Sequence, residues 1–271
     1  MAAKKKEAFV GEQRLPYLDE GPRTGAGNDD VPILFLHGWG LAPWAYRGML
    51  DALSCERRVV SPYLPALTWN RSIEPITSHQ DWADMVARFC AAQDIGRAHI
   101  VGQSTGGGVA ACLASRAPEL AASLTVMDAS GAPSQTPCNQ SLPKLAGAVL
   151  LDIVRQLLDP RYPIAQARMA ASFLINLAGA RWQLVRAARM PLYEDLTADY
   201  QRLTVPVQVL SGGRAVLLPP GAAKHLQALV PGATLRLVER GFHLWEIQQP
   251  GLAADLILDF ARHVEKRGLP S

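Results

Sequence analysis

The stretch VGQSTGGGVAA, residues 101–111, constrains the fold more than any other part of this sequence. It joins an apolar run typical of a buried strand to a run of small residues that predicts a helix. Gly102 and Gly106 flank Ser104 in a GxSxG pattern, and glycines there avoid clashes in a sharp turn and at a strand–helix crossing. The pattern predicts a strand–turn–helix unit that presents the Ser104 hydroxyl above a sheet, at a helix N-terminus.

The rest of the chain alternates short apolar runs with helix-length amphipathic stretches, which is the pattern of βαβ units and a mainly parallel sheet. Strands or hairpins are predicted at residues 7–20, 31–38, 57–62, 97–104, 124–128, 205–211 and 233–238. Helices are predicted at about 43–54, 78–93, 105–116, 219–230 and 251–266. The fold class is therefore α/β, with helices flanking the sheet.

One connection breaks this alternation. Residues 129–204 carry no strand signal, and Met169, Phe173 and Leu177 share a helical spacing. With 271 residues, of which 49% are hydrophobic, the chain fits one main domain with an insertion. We expect a core formed by residues 1–132 and 205–271, and a helical cap over residues 133–204.

Charge and cysteine content argue against a nucleic-acid-binding protein and against a metal site. The net charge is +3 and the one basic run, residues 4–6, stands at the start, so nucleic acid is not an expected partner. The four cysteines lack CxxC spacing, which predicts no metal site and favours free thiols in a reducing compartment, with one disulfide pair as the open alternative; they are Cys55, Cys90, Cys112 and Cys138. No apolar run is long enough for a membrane span or a signal peptide, so we expect a cytoplasmic protein. The sequence does not indicate its oligomeric state.

Two further motifs accompany the serine: HGWG at residues 37–40 follows a predicted strand, and His243 precedes the last helix. With all three, the chain resembles the α/β-hydrolase superfamily over nearly its whole length. The resemblance implies an α/β-hydrolase fold, with the helical cap inserted between strands 6 and 7. It implies no cofactor and no metal.

The resemblance also implies an oxyanion hole. In that family, the residue after the His-Gly pair and the residue after the nucleophile donate their backbone N–H groups to the developing oxyanion. Here these are Trp39, which follows Gly38, and Thr105, which follows Ser104. Each such donor is typically worth about 3 kcal/mol of transition-state stabilisation.

His243, in RGFHLWEIQQPG, is the candidate base. The family commonly shows GHxxxxExP here, whereas this chain has Phe242 in place of the glycine and Gln248 in place of the glutamate, and Pro250 keeps the spacing. A neutral imidazole can take the Ser104 proton and return it to the leaving group.

The usual acid is missing. Most family members carry an Asp after the seventh strand, and here Ala215 occupies that position in GGRAVLLP. Three explanations remain open: the acid has moved to Asp128 at the end of LTVMD, the site is a Ser-His dyad, or Ala215 is an inactivating substitution. We favour Asp128, with Glu239 as a weaker reserve candidate, because neighbouring parallel strands end at one edge of the sheet.

The implied function is serine-dependent hydrolysis of a small-molecule carboxylic ester through an acyl-enzyme on Ser104. The apolar cap favours a substrate with an apolar portion. The alternative is a non-esterase member of the same fold: a C–C hydrolase, a cofactor-free oxygenase or other non-hydrolytic catalyst, or a ligand-binding pseudoenzyme. The substrate itself does not follow from the sequence.

Overall fold

The computed structural model describes residues 5–21, 31–131, 147, 151–152, 154–156, 158–190 and 194–268. The strands are β1 Lys5–Val10, β2 Gln13–Glu20, β3 Ile33–Leu36, β4 Val59–Pro62, β5 Ala98–Gln103, β6 Ala121–Met127, β7 Val207–Gly212 and β8 Thr234–Val238. The α-helices are α1 Arg47–Leu53, α2 His79–Ala92, α3 Thr105–Arg116, α4 Pro163–Ala187, α5 Thr197–Gln201, α6 Pro220–Leu229, α7 Trp245–Gln248 and α8 Pro250–Lys266. Short 3₁₀ helices span Pro43–Tyr46 and Pro118–Leu120.

The eight strands form one sheet in the order β1-β2-β4-β3-β5-β6-β7-β8. The pairings of β1 with β2 and of β2 with β4 are antiparallel, and all later pairings are parallel. The predicted fold class is confirmed. The parallel order brings the carboxyl ends of β3, β5, β6, β7 and β8 to the same edge, which is where loops build a site in such sheets.

Both faces of the sheet are covered, which explains why its central strands are nearly continuous apolar runs. Every residue of β3, β5 and β6 is buried. One core joins the sheet to α2, α3 and α6, and the other joins it to α1 and α8. The small residues of α3 let this helix lie against the sheet directly below the serine turn.

Helices α4 and α5 follow β6 and precede β7 in the chain, where the cap is predicted. Part of the predicted cap, and Cys138, lie outside the described residues, so the domain bounds stay predictions. Cys55, Cys90 and Cys112 are free thiols. Among the helices that the structure describes, none combines the length and the apolar character that crossing a membrane requires.

Candidate active site

Ser104 occupies a strained turn between β5 and α3. Its backbone lies at φ 52° and ψ −119°, a conformation with positive φ that residues other than glycine rarely adopt. Gly102 and Gly106 make the turn possible, since a Cβ on Gly102 would lie 2.3 Å from the Gly106 carbonyl oxygen, and one on Gly106 would lie 2.2 Å from that of Leu36. The strain is therefore held by close packing on both sides.

His243 faces this serine from the loop between β8 and α7. Its Nε2 lies 3.1 Å from Oγ of Ser104. The side chain is buried, and the loss of solvation lowers its pKa to about 4. A neutral imidazole is thus the resting form at pH 7, as a general base requires. Its Nδ1 is also buried and has no hydrogen-bond partner among the described residues.

The turn at residues 37–40 is fixed by hydrogen bonds from His37. The Leu64 N–H donates to Nε2 of His37 at 2.9 Å, which places the proton on Nδ1, and Nδ1 then donates to the Gly38 carbonyl at 3.0 Å. Burial lowers the pKa of His37 to about 4, so it stays neutral. Within the described chain, neither the Trp39 nor the Thr105 backbone N–H donates to a protein acceptor, so both remain available for an oxyanion.

A buried chain of hydrogen bonds connects that turn with the histidine loop. The Gly38 N–H donates to the Tyr46 hydroxyl at 3.3 Å, which donates to Oε1 of Gln103 at 2.9 Å. Nε2 of Gln103 donates to the His243 carbonyl at 3.2 Å. Sequence reasoning missed Tyr46 and Gln103. The position before the serine in GxSxG was the available signal for Gln103, whereas no sequence signal marked Tyr46.

Helix α4 covers the turn at residues 37–40. Asn176 donates from Nδ2 to the Gly40 carbonyl at 2.9 Å, and the Ala42 N–H donates to Oγ of Ser172 at 2.9 Å. The Trp39 indole donates to the Leu184 carbonyl at 2.8 Å, and its ring lies 5.7 Å from that of Phe173. Helix α4 therefore fixes both the backbone and the aromatic side chain of this turn.

Asp128 follows β6 and is buried, at φ 41°. Its Oδ1 accepts a hydrogen bond from the Ser211 hydroxyl at 2.7 Å, and both oxygens lie 3.2 Å from the Gly212 N–H. The structure does not bring this carboxylate into a hydrogen bond with Nδ1 of His243. Burial outweighs these hydrogen bonds and raises the pKa of Asp128 to about 8.

The loop after β7 leaves position 215 without a polar side chain, as the sequence indicates. Ala215 is buried there, and its N–H donates to the Gly212 carbonyl at 3.2 Å. The reserve candidate Glu239 directly follows β8 and is solvent-exposed. It does not join the cluster of buried groups around His243.

Glu246, in the first turn of α7, was not anticipated as part of the site. It is fully buried, and neither carboxyl oxygen has a hydrogen-bond partner in the described structure. Burial and the neighbouring charge of Asp128 raise the pKa of Glu246 well above its ordinary value. Both causes disfavour the charged form of this carboxyl group.

These groups suit nucleophilic chemistry at a hydroxyl. A serine in a strained turn, a neutral imidazole beside it and two available N–H groups are the elements that acyl transfer requires. Among the described residues, no group of three or more His, Cys, Asp and Glu side chains is arranged to hold a metal ion. The arrangement defines the α/β-hydrolase class of proteins.

Comparison with known proteins agrees. Residues 31–173 match the family model described as alpha/beta hydrolase fold, and the chain belongs to that family. It is 30% identical over 264 residues to a protein of Mycobacterium phage D29 provisionally named a non-heme haloperoxidase, covering 89% of this chain and 91% of the relative. It is 27% identical over 250 residues to a pimeloyl-[acyl-carrier protein] methyl ester esterase of Aromatoleum aromaticum, covering 85% and 98%.

Solved structures show the same fold. The enol-lactonase from Burkholderia xenovorans LB400 superposes with a TM-score of 0.77 at 18% identity, covering 95% of this chain and 100% of that one. At this level of identity the likeness concerns the fold alone.

Proposed function

We propose that this protein is a serine hydrolase that cleaves a carboxylic ester with an apolar portion. Relatives that are hydrolases support hydrolysis as the general reaction. The observation that carries the finer proposal is the 3.1 Å approach of Ser104 Oγ to Nε2 of His243 at a strained turn. A hydroxyl is a poor nucleophile until a neighbouring base accepts its proton, and this contact supplies the base.

The proposed reaction has two halves. Ser104 Oγ attacks the ester carbonyl while its proton passes to Nε2 of His243, and the carbonyl oxygen takes the negative charge within reach of the Trp39 and Thr105 N–H groups. The tetrahedral species collapses to an acyl-enzyme, and His243 returns the proton to the departing alcohol. Water then attacks the acyl group, with His243 again taking and returning a proton, which releases the acid and regenerates Ser104.

The third member of this proposal is Asp128. Its support is its position at the carboxyl end of β6, its burial, and its contact with the loop where the family's acid would stand. With a pKa of about 8, Asp128 is mostly protonated at pH 7 in the resting site. The positive charge that forms when His243 takes the proton favours ionisation of Asp128, and the resulting carboxylate stabilises the imidazolium. The chain order Ser104, Asp128, His243 is also the usual order of such triads.

An apolar acyl portion agrees with what lies over the oxyanion turn. Phe173 on α4 lies against the turn, since a Cβ on Gly40 would come within 2.9 Å of its ring, and Met169 on the same helix belongs to the hydrophobic cluster that Phe173 packs against. Apolar walls with a few polar groups are typical of small-molecule sites.

Hydrolysis of a series of p-nitrophenyl esters tests the proposal. We expect turnover of short and medium acyl chains, with a burst of p-nitrophenol equal to the enzyme concentration if deacylation is the slower half. Ser104→Ala should abolish the burst and the turnover, whereas the matched change Ser115→Ala, on the far part of α3, should leave both unchanged. Turnover that survives Ser104→Ala would refute the proposed function.

A further inference from the structure

The Asp152 carboxylate, in the predicted cap, binds the backbone of the loop after β7, where the acid usual in the family is missing. Asp152 is buried, and its oxygens accept hydrogen bonds from the Val216 N–H, at 2.9 Å and 3.1 Å, and from the Leu217 N–H, at 2.6 Å. These two amides immediately follow Ala215, where most of the family carries the acid. A buried carboxylate held by two backbone donors is a site prepared for a negative charge.

The same cap segment also reaches the histidine loop. Gln156 accepts a hydrogen bond at Oε1 from the Leu244 N–H at 3.2 Å, directly after His243, and donates from Nε2 to the Asp152 carbonyl at 3.1 Å. Asp152 and Gln156 therefore connect the loop after β7 to the loop that carries His243.

Two carboxylates thus bracket the vacant position. Asp128 binds Ser211 and Gly212, which precede Ala215, and Asp152 binds the two residues that follow it. The two carboxyl groups are close enough for the charge of Asp152 to raise the pKa of Asp128. The buried Nδ1 of His243 meanwhile lacks a partner. An imidazolium formed there requires a nearby negative charge in this poorly solvated region.

We propose that Asp152 is a positioning residue for His243, supplying from the cap the negative charge that loop position 215 lacks. This inference rests on the proposed serine mechanism. It makes the acid partly a property of the cap, because Asp152 precedes α4 in the chain and reaches the loop after β7 only through its contacts with the Val216 and Leu217 N–H groups.

The charged and titratable groups around this point determine the sign of the effect. Burial raises the pKa of Asp128 to about 8, so Asp128 is mostly protonated at pH 7, and burial also raises the pKa of Glu246. Burial also raises the pKa of Asp152, while its two backbone hydrogen bonds and Arg155 oppose that rise. Removing the negative charge of Asp152 destabilises the imidazolium, so the acidic limb of kcat/KM should move to lower pH.

The experiment compares ester turnover in Asp152→Asn, Asp152→Asn/Ala215→Asp and the matched control Asp159→Asn, with thermal unfolding of each. Asparagine keeps an acceptor for the loop amides and removes only the charge. We expect Asp152→Asn to lower kcat by about tenfold or more with little change in KM. The acidic limb of the kcat/KM profile of Asp152→Asn should move to lower pH. The double variant Asp152→Asn/Ala215→Asp should recover most of the wild-type kcat. Asp159→Asn should keep wild-type kcat, because Asp159 pairs with Arg161 away from the loop amides.

Each other outcome overturns the inference. Unchanged kcat in Asp152→Asn removes Asp152 from the mechanism. A lower kcat that Ala215→Asp does not restore, with an unmoved pH limb, reduces Asp152 to an anchor of the loop. If Asp152→Asn does not fold, Ala215→Asp in the wild-type background decides: the inference predicts no gain, and a large gain contradicts it. Turnover that survives Ser104→Ala is a separate result, which refutes the proposed function instead.

Discussion

Replacing Asp128 by Asn should stabilise the protein, and more so at alkaline pH. The pKa of this carboxyl group rises from 3.8 to about 8 because it is fully buried. An acid with a raised folded-state pKa holds its proton longer in the folded than in the unfolded state. The stability that this protonated group contributes to the free energy of unfolding is therefore fully present below pH 3.8 and is lost as the pH rises through 8.

The size of the effect follows from that shift. At about 1.4 kcal/mol per pKa unit, keeping Asp128 in the folded state costs on the order of 2 kcal/mol at pH 5.5 and on the order of 5 kcal/mol at pH 8. Asn pays no such cost and can still accept the hydrogen bond from Ser211. The difference in free energy of unfolding between Asp128→Asn and wild type should thus grow by roughly 3 kcal/mol between these two pH values.

Urea unfolding of both proteins at pH 5.5 and pH 8 measures this difference. Asp19→Asn is the control, because hydrogen bonds and ion pairs with Arg58 and Lys6 lower the pKa of Asp19. Asp19 is charged at both pH values, so its replacement should change stability equally at each. An Asp128→Asn effect that is also equal at pH 5.5 and pH 8 would refute our account of this carboxyl group.

Three further predictions concern the site. Tyr46→Phe leaves the buried Gly38 N–H and Gln103 Oε1 without their shared partner, and we expect kcat to fall about tenfold or more with a loss of roughly 1–3 kcal/mol in urea unfolding. Gly102→Ala drives a Cβ to 2.3 Å from a backbone oxygen of α3, so circular dichroism should show a protein that unfolds well below the wild-type temperature, or does not fold. The lowered pKa of His243 predicts a kcat/KM profile whose acidic limb lies below pH 6.5, which a profile from pH 4 to pH 8 checks.

The sequence was sufficient for the sheet and the serine turn, because both depend on local patterns. Apolar runs of strand length mark the buried parallel strands, and Gly102 and Gly106 mark a crossing that no side chain fits. The predicted strand ends differ from the observed ones by up to three residues, as at β6, whose predicted start at 124 is observed at Ala121. The ends of a strand depend on its pairing with neighbouring strands, which sequence periodicity does not show.

The network behind the turn was not predictable in the same way. Tyr46 lies on a 3₁₀ helix far in sequence from Gln103, and their contact exists only because β3 and β5 are adjacent. Asp152 belongs to a stretch whose pattern indicates only helix, so nothing local assigns it to the loop after Ala215. The absence of an acid is visible in the sequence, whereas the carboxylates that surround its position are visible only in the fold.

The most direct test of the central claim, that Ser104 is a nucleophile activated by His243, is labelling with a fluorophosphonate followed by intact-mass measurement and peptide mapping. We predict one adduct on wild-type protein at pH 7.5, located on the peptide that contains Ser104. The adduct should be absent from Ser104→Ala and form far more slowly in His243→Ala. An unlabelled wild-type protein, or an adduct that persists in Ser104→Ala, would contradict the account.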